Sequence, residues 1–274
     1  MGLKKLYTGV AVILAFLSGF SGYAACGSLS ARQIMGKVEA QKSGRTRTHE
    51  MHMVLVDKNG SRQTKTIAFF SKNYVEESRR IVFVTSPSRY RDMGLLTIDY
   101  KDENKESDQW AYIPSLGKHK RIAAADKSDS FMGSDLNYSD LAARRIDDYH
   151  YRIIHKSEVK GYPVWLIESV PVSSSVVDNT GYVKSITAVR KDTFEIIRLK
   201  AWTQEKSMVK LFDFDDHVMI NGIRAARRIT VVSLKQGIPW HQTHMRIENI
   251  QLDVPLPDDL FSIRSLTKGF HGAM

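Results

Sequence analysis

The chain has 274 residues, of which 42% are hydrophobic and 26% are charged, with a formal net charge of +10. Its single cysteine, Cys26, excludes an internal disulfide, so the fold must be held by its core alone. No stretch beyond the N-terminus is apolar enough to span a bilayer, which excludes a protein with several membrane-spanning helices.

The N-terminal residues, MGLKKLYTGVAVILAFLSGFSGYAACGS, are typical of a secretory signal peptide. Lys4 and Lys5 form a positive segment, an apolar core follows over residues 6–20, and small residues come next. We therefore expect residues 1–25 to be a signal peptide, and residues 26–274 to form one exported domain. Export makes nucleic acid an implausible partner, so the basic surface favours anionic lipids or acidic proteins, or serves solubility only.

The sequence is compatible with two signal-peptide cleavage sites. Cleavage after Ala24 would release a free periplasmic protein. Alternatively, Cys26 follows two alanines, as in a lipoprotein cleavage site, and would then be lipidated and tether the protein to a membrane. Tyr23 occupies the position where such a site normally has leucine or another aliphatic residue, which favours the soluble form.

After the signal, the sequence predicts a short amphipathic helix. Ser30 is positioned to cap it, Gln33 to complete a capping box, and Leu29 to pack against Ile34. From residue 48 the hydrophobic pattern changes to the period of two that is typical of strands. About eleven short strands follow, joined mainly by tight turns such as Asn221-Gly222, up to a last strand over residues 244–252.

One insertion interrupts these strands, over residues 116–147, and we expect it to be mostly helical. Asp135 or Ser139 is positioned to cap a short helix reaching Ile146. The sequence thus predicts a mainly β fold, in which a long antiparallel sheet curls around helices. Several strands, such as residues 81–84, are apolar on both faces, so a dimer or a dense core is expected to cover the outer face.

No catalytic residue, cofactor site or metal site is predicted. Nucleophile elbows, phosphate-binding loops and zinc-ligand spacings are not found. His241 and His244 would point to opposite faces of a strand. The DFDDH stretch, residues 213–217, has the side chains for a cation site, although an acidic turn is the commoner explanation.

Phe131 and Met132 stand out because they are large apolar residues within the polar stretch AADKSDSFMGSDLNYSDL. One interpretation is a lid whose apolar face covers the mouth of the sheet, with Gly133 allowing it to move. Asp135 or Asp140 would then latch onto a cation such as Arg121. The alternative is that both side chains plug the core of a rigid domain.

The same region carries a family resemblance. The residues W-A-Y-I-P at 110–114, Arg121-Ile122, F-M-G-S-D at 131–135 and Y-S-D-L at 138–141 resemble the outer-membrane lipoprotein-sorting family of LolA/LolB-like proteins. The ending L-P-D-D-L-F-S at 256–262 is similar as well. The similarity extends over the whole mature chain and is to the longer, transporter-associated branch of the family.

The resemblance implies an unclosed antiparallel β-barrel, covered by an N-terminal helix and an inserted helical lid, that carries lipid between inner and outer membranes. The implied partners are the acyl chains of a lipid or lipoprotein and an inner-membrane RND-type transporter; no cofactor is implied. The predicted cavity residues are Met51, Met53, Leu55, Phe69, Phe83, Trp110, Tyr112, Trp165 and Trp202. The predicted lid comprises Phe131, Met132, Gly133, Ser134, Asp135, Tyr138 and Leu141, with Arg121 and Asp140 as its latch.

Each predicted cavity residue taken singly is already explained by ordinary core packing, and only the set as a whole favours a lipid-binding cavity. The competing function is a scaffold, or an accessory subunit of the transporter, whose barrel is filled by its own side chains. The two differ in volume, because a carrier requires an apolar cavity of a few hundred Å³ or more.

Overall fold

The computed structural model describes residues 29–41, 43–102 and 104–273, and all of its strands belong to one antiparallel sheet. The predicted signal peptide and Cys26 lie outside the described residues. The thirteen strands are β1 Thr46–Asp57, β2 Arg62–Asn73, β3 Glu77–Ser86, β4 Gly94–Tyr100, β5 Asp108–Ile113, β6 Lys118–Arg121, β7 Tyr149–Val159, β8 Tyr162–Pro171, β9 Tyr182–Arg190, β10 Ile196–Thr203, β11 Met208–Ile220, β12 Ile223–Lys235 and β13 Ile238–Leu252. The helices are α1 Ala31–Glu39, α2 Ser174–Thr180 and α3 Ile263–Ala273.

The sheet is unclosed, as predicted, with β6 and β7 as its two free edges. Apart from β6 and β7, which do not pair with each other, strands that are consecutive in sequence are paired, and the two ends of the meander meet where β1 pairs with β13. Residues 122–148, here called the crossing segment, therefore connect one free edge of the sheet to the other. This connection places the crossing segment over one face, called the inner face, which bears Met53, Leu55 and Phe212.

Tight turns fix the register of the hairpins. At 160–161, 221–222 and 236–237, both central residues have positive φ, and glycine is the second residue each time. Such turns match the right-handed twist of the flanking strands. The sequence predicted about eleven strands, and the structure has thirteen, among them the short, exposed edge strand β6.

Helix α1 begins as predicted. The Ser30 hydroxyl accepts a hydrogen bond from the Gln33 backbone N–H, and the Gln33 side chain accepts one from the Ser30 N–H. Ile34 and Met35 are buried against Ile167 and Val189. Since Val189 lies an even number of residues along β9 from the cavity-lining Ser185, α1 packs on the inner face.

The outer face of β2 to β5 is covered by the end of the chain, rather than by the dimer or dense core expected from the sequence. Ile81 and Phe83 point outward and are buried under Leu260, Phe261 and Leu266. The alternate residues Val82 and Val84 of the same strand belong to the inner core. Two separate covers thus explain why this strand is apolar on both faces.

The crossing segment differs from its prediction, because it contains four short 3₁₀ turns instead of an α-helix. Asn137, rather than the predicted Asp135 or Ser139, caps the turn Tyr138–Leu141, and Asp140 completes that capping box. Side chains of this segment bond to the strands beneath it, so an extended path with short turns places more of them against the sheet than one helix would.

Candidate functional site

A cavity of about 580 Å³ lies between the crossing segment and the inner face of the sheet. Its wall on the strand side is largely apolar, with side chains from β1 and from β10 to β13. These side chains are Met51, Leu199, Ala201, Phe212, Phe214, Ile229 and Met245. The crossing segment closes the cavity with Leu136 and Leu141. A concave, mostly apolar space with a few polar lining groups is the usual character of a site for small apolar ligands.

One end of the cavity is charged and polar. Lys127, Arg144 and Arg145 line it together with Glu106 and Asp148. Lys127 is paired with Glu106 (Nζ to Oε2, 3.2 Å), and Arg145 lies 3.9 Å from Asp148. The cavity therefore has an apolar interior and a charged end, which is the arrangement that an amphiphilic ligand requires.

Asp135 fastens the crossing segment to the sheet. Its carboxylate accepts hydrogen bonds from the hydroxyls of Ser233 (2.5 Å) and Thr243 (2.6 Å), and lies 2.7 Å from Nδ1 of His241. Its backbone N–H donates to the Thr243 hydroxyl at 2.9 Å. The Asp135 side chain is only 2% exposed, so these bonds hold a buried charge.

Further hydrogen bonds, which are partly buried, lie on either side of Asp135. The Lys210 ammonium donates to the Asp135 carbonyl and to the Asn137 side chain, both at 2.7 Å. Desolvation lowers the pKa of Lys210, although Asp140 and Asp135 oppose this change. Lys65 donates to the Met132 carbonyl at 3.1 Å. The crossing segment is thus held by hydrogen bonds to polar side chains on the inner face of several strands.

Phe131 fills the interior of the barrel. It is 2% exposed, belongs to the same core as Met53 and Leu55, and makes an edge-to-face contact with Tyr138 at 5.9 Å between ring centroids. Met132 and Gly133 both have positive φ, and the position of a Cβ on Gly133 would face open space. The structure therefore gives Phe131 the core-plug position, while Leu136 and Leu141 cover the cavity.

The predicted latch between Arg121 and Asp140 is wrong as a contact. Arg121 pairs with Asp108 on the neighbouring strand. Asp140 is half-buried within the crossing segment, where it accepts hydrogen bonds from the Tyr182 hydroxyl (2.9 Å) and the Asn137 N–H (2.8 Å). Desolvation raises the pKa of Asp140 and raises the pKa of Tyr182 well above its usual value.

Of the nine predicted cavity residues, Met51 alone lines the cavity. Met53 and Leu55 lie on the inner face in the core beneath Phe131, and Phe69 packs against that core. Trp165 is also on the inner face, but it packs in the cluster under α1 and stacks on Phe194 at 5.6 Å.

The other four residues lie on the outer face, which corrects their predicted position. Phe83, Trp110 and Tyr112 pack with the C-terminal segment. Trp202 follows the cavity-lining Ala201, so it points to the opposite face, where Lys184 and Lys200 lie over its ring at 4.6 and 4.8 Å. The size of an aromatic side chain does not decide which face it occupies, because the period of two along the strand does.

The sequence reasoning missed most of the cavity wall. Leu199 with Ala201, and Phe212 with Phe214, are pairs two residues apart on adjacent strands, and Phe212 is directly opposite Leu199. The alternation of each strand was visible in the sequence, but the pairing that brings these faces under the crossing segment was not.

The carboxylates of the acidic stretch 213–217 form ion pairs with basic side chains. Asp213 and Asp215 both bond Lys160, and Asp216 pairs with Arg227. Within the described residues, one group with ligand atoms close enough for a metal ion is Glu50, His52 and Glu248. No helix of the described part of the chain has the length and apolar character needed to cross a membrane.

Comparison with solved structures identifies the class of fold. A domain from Vibrio parahaemolyticus, described as that of an outer-membrane lipoprotein-sorting protein, superposes with a TM-score of 0.77 and 20% identity, covering 86% of this chain and 98% of that one. A DUF1329 family protein from Desulfovibrio piger gives 0.78 and 22%, over 86% and 97%. A LolA superfamily protein from Nitrosomonas europaea gives 0.65 and 18%, over 87% and 100%.

The chain therefore has the fold of the LolA-like lipoprotein-sorting proteins, and the predicted resemblance is confirmed at the level of the fold. Residues 76–268 match the model of a family described as "Uncharacterized protein", and the chain belongs to that family. A comparison with curated proteins gives no match.

Proposed function

We propose that this protein is a periplasmic carrier that holds the acyl chains of a lipid or lipoprotein and transfers them between the inner and outer membranes. The observation that carries the proposal is the cavity of about 580 Å³, walled by apolar side chains beneath the crossing segment. The fold it shares with lipoprotein-sorting proteins supports the same function.

The energetics of acyl burial fit a carrier without catalytic chemistry. Each buried methylene contributes about 0.8 kcal/mol, so one long acyl chain contributes on the order of 10 kcal/mol before ordering costs are subtracted. The side chains of Met51 and Met245 in the cavity wall are flexible and polarisable, so they can adapt to acyl chains of different shape. A soluble protein can hold a lipid in this way through the aqueous periplasm. By the family resemblance, the donor would be an inner-membrane transporter of the RND type.

A scaffold or transporter-accessory role is the competing function, and the position of Phe131 favours it. The half of the inner face formed by β1 to β4 is filled by Phe131 and its neighbours, as expected for a barrel that is packed with its own side chains. The carrier proposal therefore depends on the other half, where the cavity lies.

The test is native and denaturing mass spectrometry of protein that is expressed with its own signal and purified without detergent. A bound lipid mass that disappears on denaturation is expected for the carrier. Leu199→Asn, in the cavity wall, is expected to reduce the bound fraction, whereas Leu211→Asn, on the opposite face of the adjacent strand, is the matched control.

A mass without ligand at several expression levels would contradict the carrier and favour the scaffold. The denatured mass also tests localisation, because cleavage after Ala24 indicates a free periplasmic protein. A mass that corresponds to a chain starting at an acylated Cys26 indicates a membrane-tethered protein.

A further inference from the structure

We infer that the charged end of the cavity binds an anionic headgroup through Arg144, so that the cargo is an acyl lipid carrying a phosphate or carboxylate. This inference rests on the proposed carrier function and adds the chemical class of the cargo. It starts from an observation about hydrogen bonds: Nε and Nη2 of Arg144 are buried and have no partner among the described residues.

Arg144 is held by two tyrosines of β7, because the Tyr151 side chain hydrogen-bonds to it and the Tyr149 ring lies against it. It lines the cavity, and its guanidinium lies over the ring of Tyr149, with Cζ 3.8 Å from the ring centroid. Tyr149 is itself a buried lining residue, so the stacking fixes the plane of the guanidinium at the end of the cavity. A planar guanidinium in a fixed position is suited to bidentate recognition of a carboxylate or phosphate.

The carboxylates of Asp140 and Asp148 are close enough to interact with the charge of Arg144, but their short contacts are with other groups. Asp140 accepts from Tyr182 and Asn137, and Asp148 lies beside Arg145. Asp99 pairs with Arg80 and also accepts a hydrogen bond from the backbone N–H of Ala143, the residue before Arg144.

Two of the three N–H-bearing nitrogens of Arg144 therefore have no acceptor among the described residues. Arg80, although paired with Asp99, also has a buried Nε without a partner within the described residues. Unpaired buried N–H groups on a cation are costly, and an anion that enters the cavity would supply the missing acceptors.

The position of the charge matches an amphiphile. Leu199, Phe212 and Met245 supply the apolar wall for the chain, while Arg144 stands at the end where the lining becomes charged. A lipid whose chains lie along the apolar wall would bring its headgroup to this end. A neutral amphiphile of the same length would gain the chain contacts but would leave the guanidinium unpaired.

The test compares three probes on the detergent-free, delipidated protein by calorimetry: a long-chain fatty acid, the alcohol of the same chain length, and inorganic phosphate. The wild type is expected to bind the acid at least about 10-fold more tightly than the alcohol, because hydrogen bonds to charged groups are worth this much or more. Arg144→Gln is expected to remove the preference for the acid while the affinity for the alcohol is retained. Arg152→Gln, on an exposed arginine of β7, is the matched control and is expected to keep the preference.

The outcomes separate the two proposals. Equal affinity of the wild type for acid and alcohol would overturn the headgroup assignment but leave the carrier function intact, and this comparison does not depend on any variant folding. Binding of neither amphiphile would contradict the carrier function itself. Phosphate that binds as tightly as the fatty acid would identify a site for free oxyanions and would overturn the assignment to a lipid headgroup.

Discussion

Replacing Asp135 by alanine is expected to release the crossing segment from the sheet while the sheet itself stays folded. Asp135 is the point where a single side chain of the crossing segment bonds to two strands at once, through Ser233 of β12 and through His241 and Thr243 of β13. The substitution removes all three contacts and leaves two hydroxyls and an imidazole without their buried acceptor.

The magnitude follows from the nature of these contacts. Hydrogen bonds to a charged group contribute about 1.5–3 kcal/mol each, and their effects are not additive because the freed hydroxyls can rotate to other partners. Breaking a buried charged interaction by removing one partner costs about 3–5 kcal/mol. The population of the opened segment is therefore expected to rise by on the order of 10²- to 10⁴-fold.

Amide hydrogen exchange measures this opening directly. The N–H of Phe131, which donates to Leu136, and the N–H of Tyr138, which donates to Asp129, should lose protection by that factor. Amides of β3 and β4 should keep theirs. Asp129→Ala is the matched control, because Asp129 lies in the same segment but its side chain is exposed.

Two results would refute this reasoning. Unchanged exchange at Phe131 and Tyr138 would mean that Asp135 does not hold the segment closed. An equal loss of protection in β3 and β4 would mean that the segment cannot open independently, and that Asp135 stabilises the whole fold. If the carrier function also holds, Asp135→Ala should take up a fluorescent fatty acid faster than the Asp129→Ala control.

The remaining predictions concern stability. Burial and the nearby Arg47 lower the pKa of His49 from its usual 6.5 to about 3. Between these two values the unfolded chain binds more protons than the folded protein, so the free energy of unfolding falls as the pH drops, by about 1.4 kcal/mol per pH unit. His49→Phe should remove about 2 kcal/mol of the difference between urea unfolding at pH 6.5 and pH 5; an unaltered pH dependence would contradict this. Gly94→Ala should destabilise by about 1–3 kcal/mol, because its Cβ would meet Leu266 of α3 at 2.8 Å, and an unshifted melting temperature would count against the close packing of α3. Gly36→Ala lies inside α1, where the added Cβ would be at an ordinary contact distance from its neighbour, so it should instead stabilise the fold by about 0.5–1 kcal/mol. A lower melting temperature of this variant would argue against a helix at that position.

Local features were well determined by the sequence. The Ser30 to Gln33 capping box, the Asn221-Gly222 turn and the period of two in β1 depend on neighbours within a few residues, so their physical causes are visible in the sequence itself. A long antiparallel sheet with one interruption was therefore predictable, and the unusual pair Phe131 and Met132 marked the interruption as special.

Contacts between distant residues were decided only by the tertiary structure. Nothing local could tell that Asp135 would meet Thr243, more than a hundred residues away, rather than Arg121, which is much nearer in sequence. The same holds for Phe83, whose outward direction follows from its strand but whose burial depends on the C-terminal segment. The alternation of a strand fixes two faces but does not say which one will be inside, because that choice depends on which segment crosses it; here the crossing segment makes Phe212 cavity wall, while Trp202 lies outside.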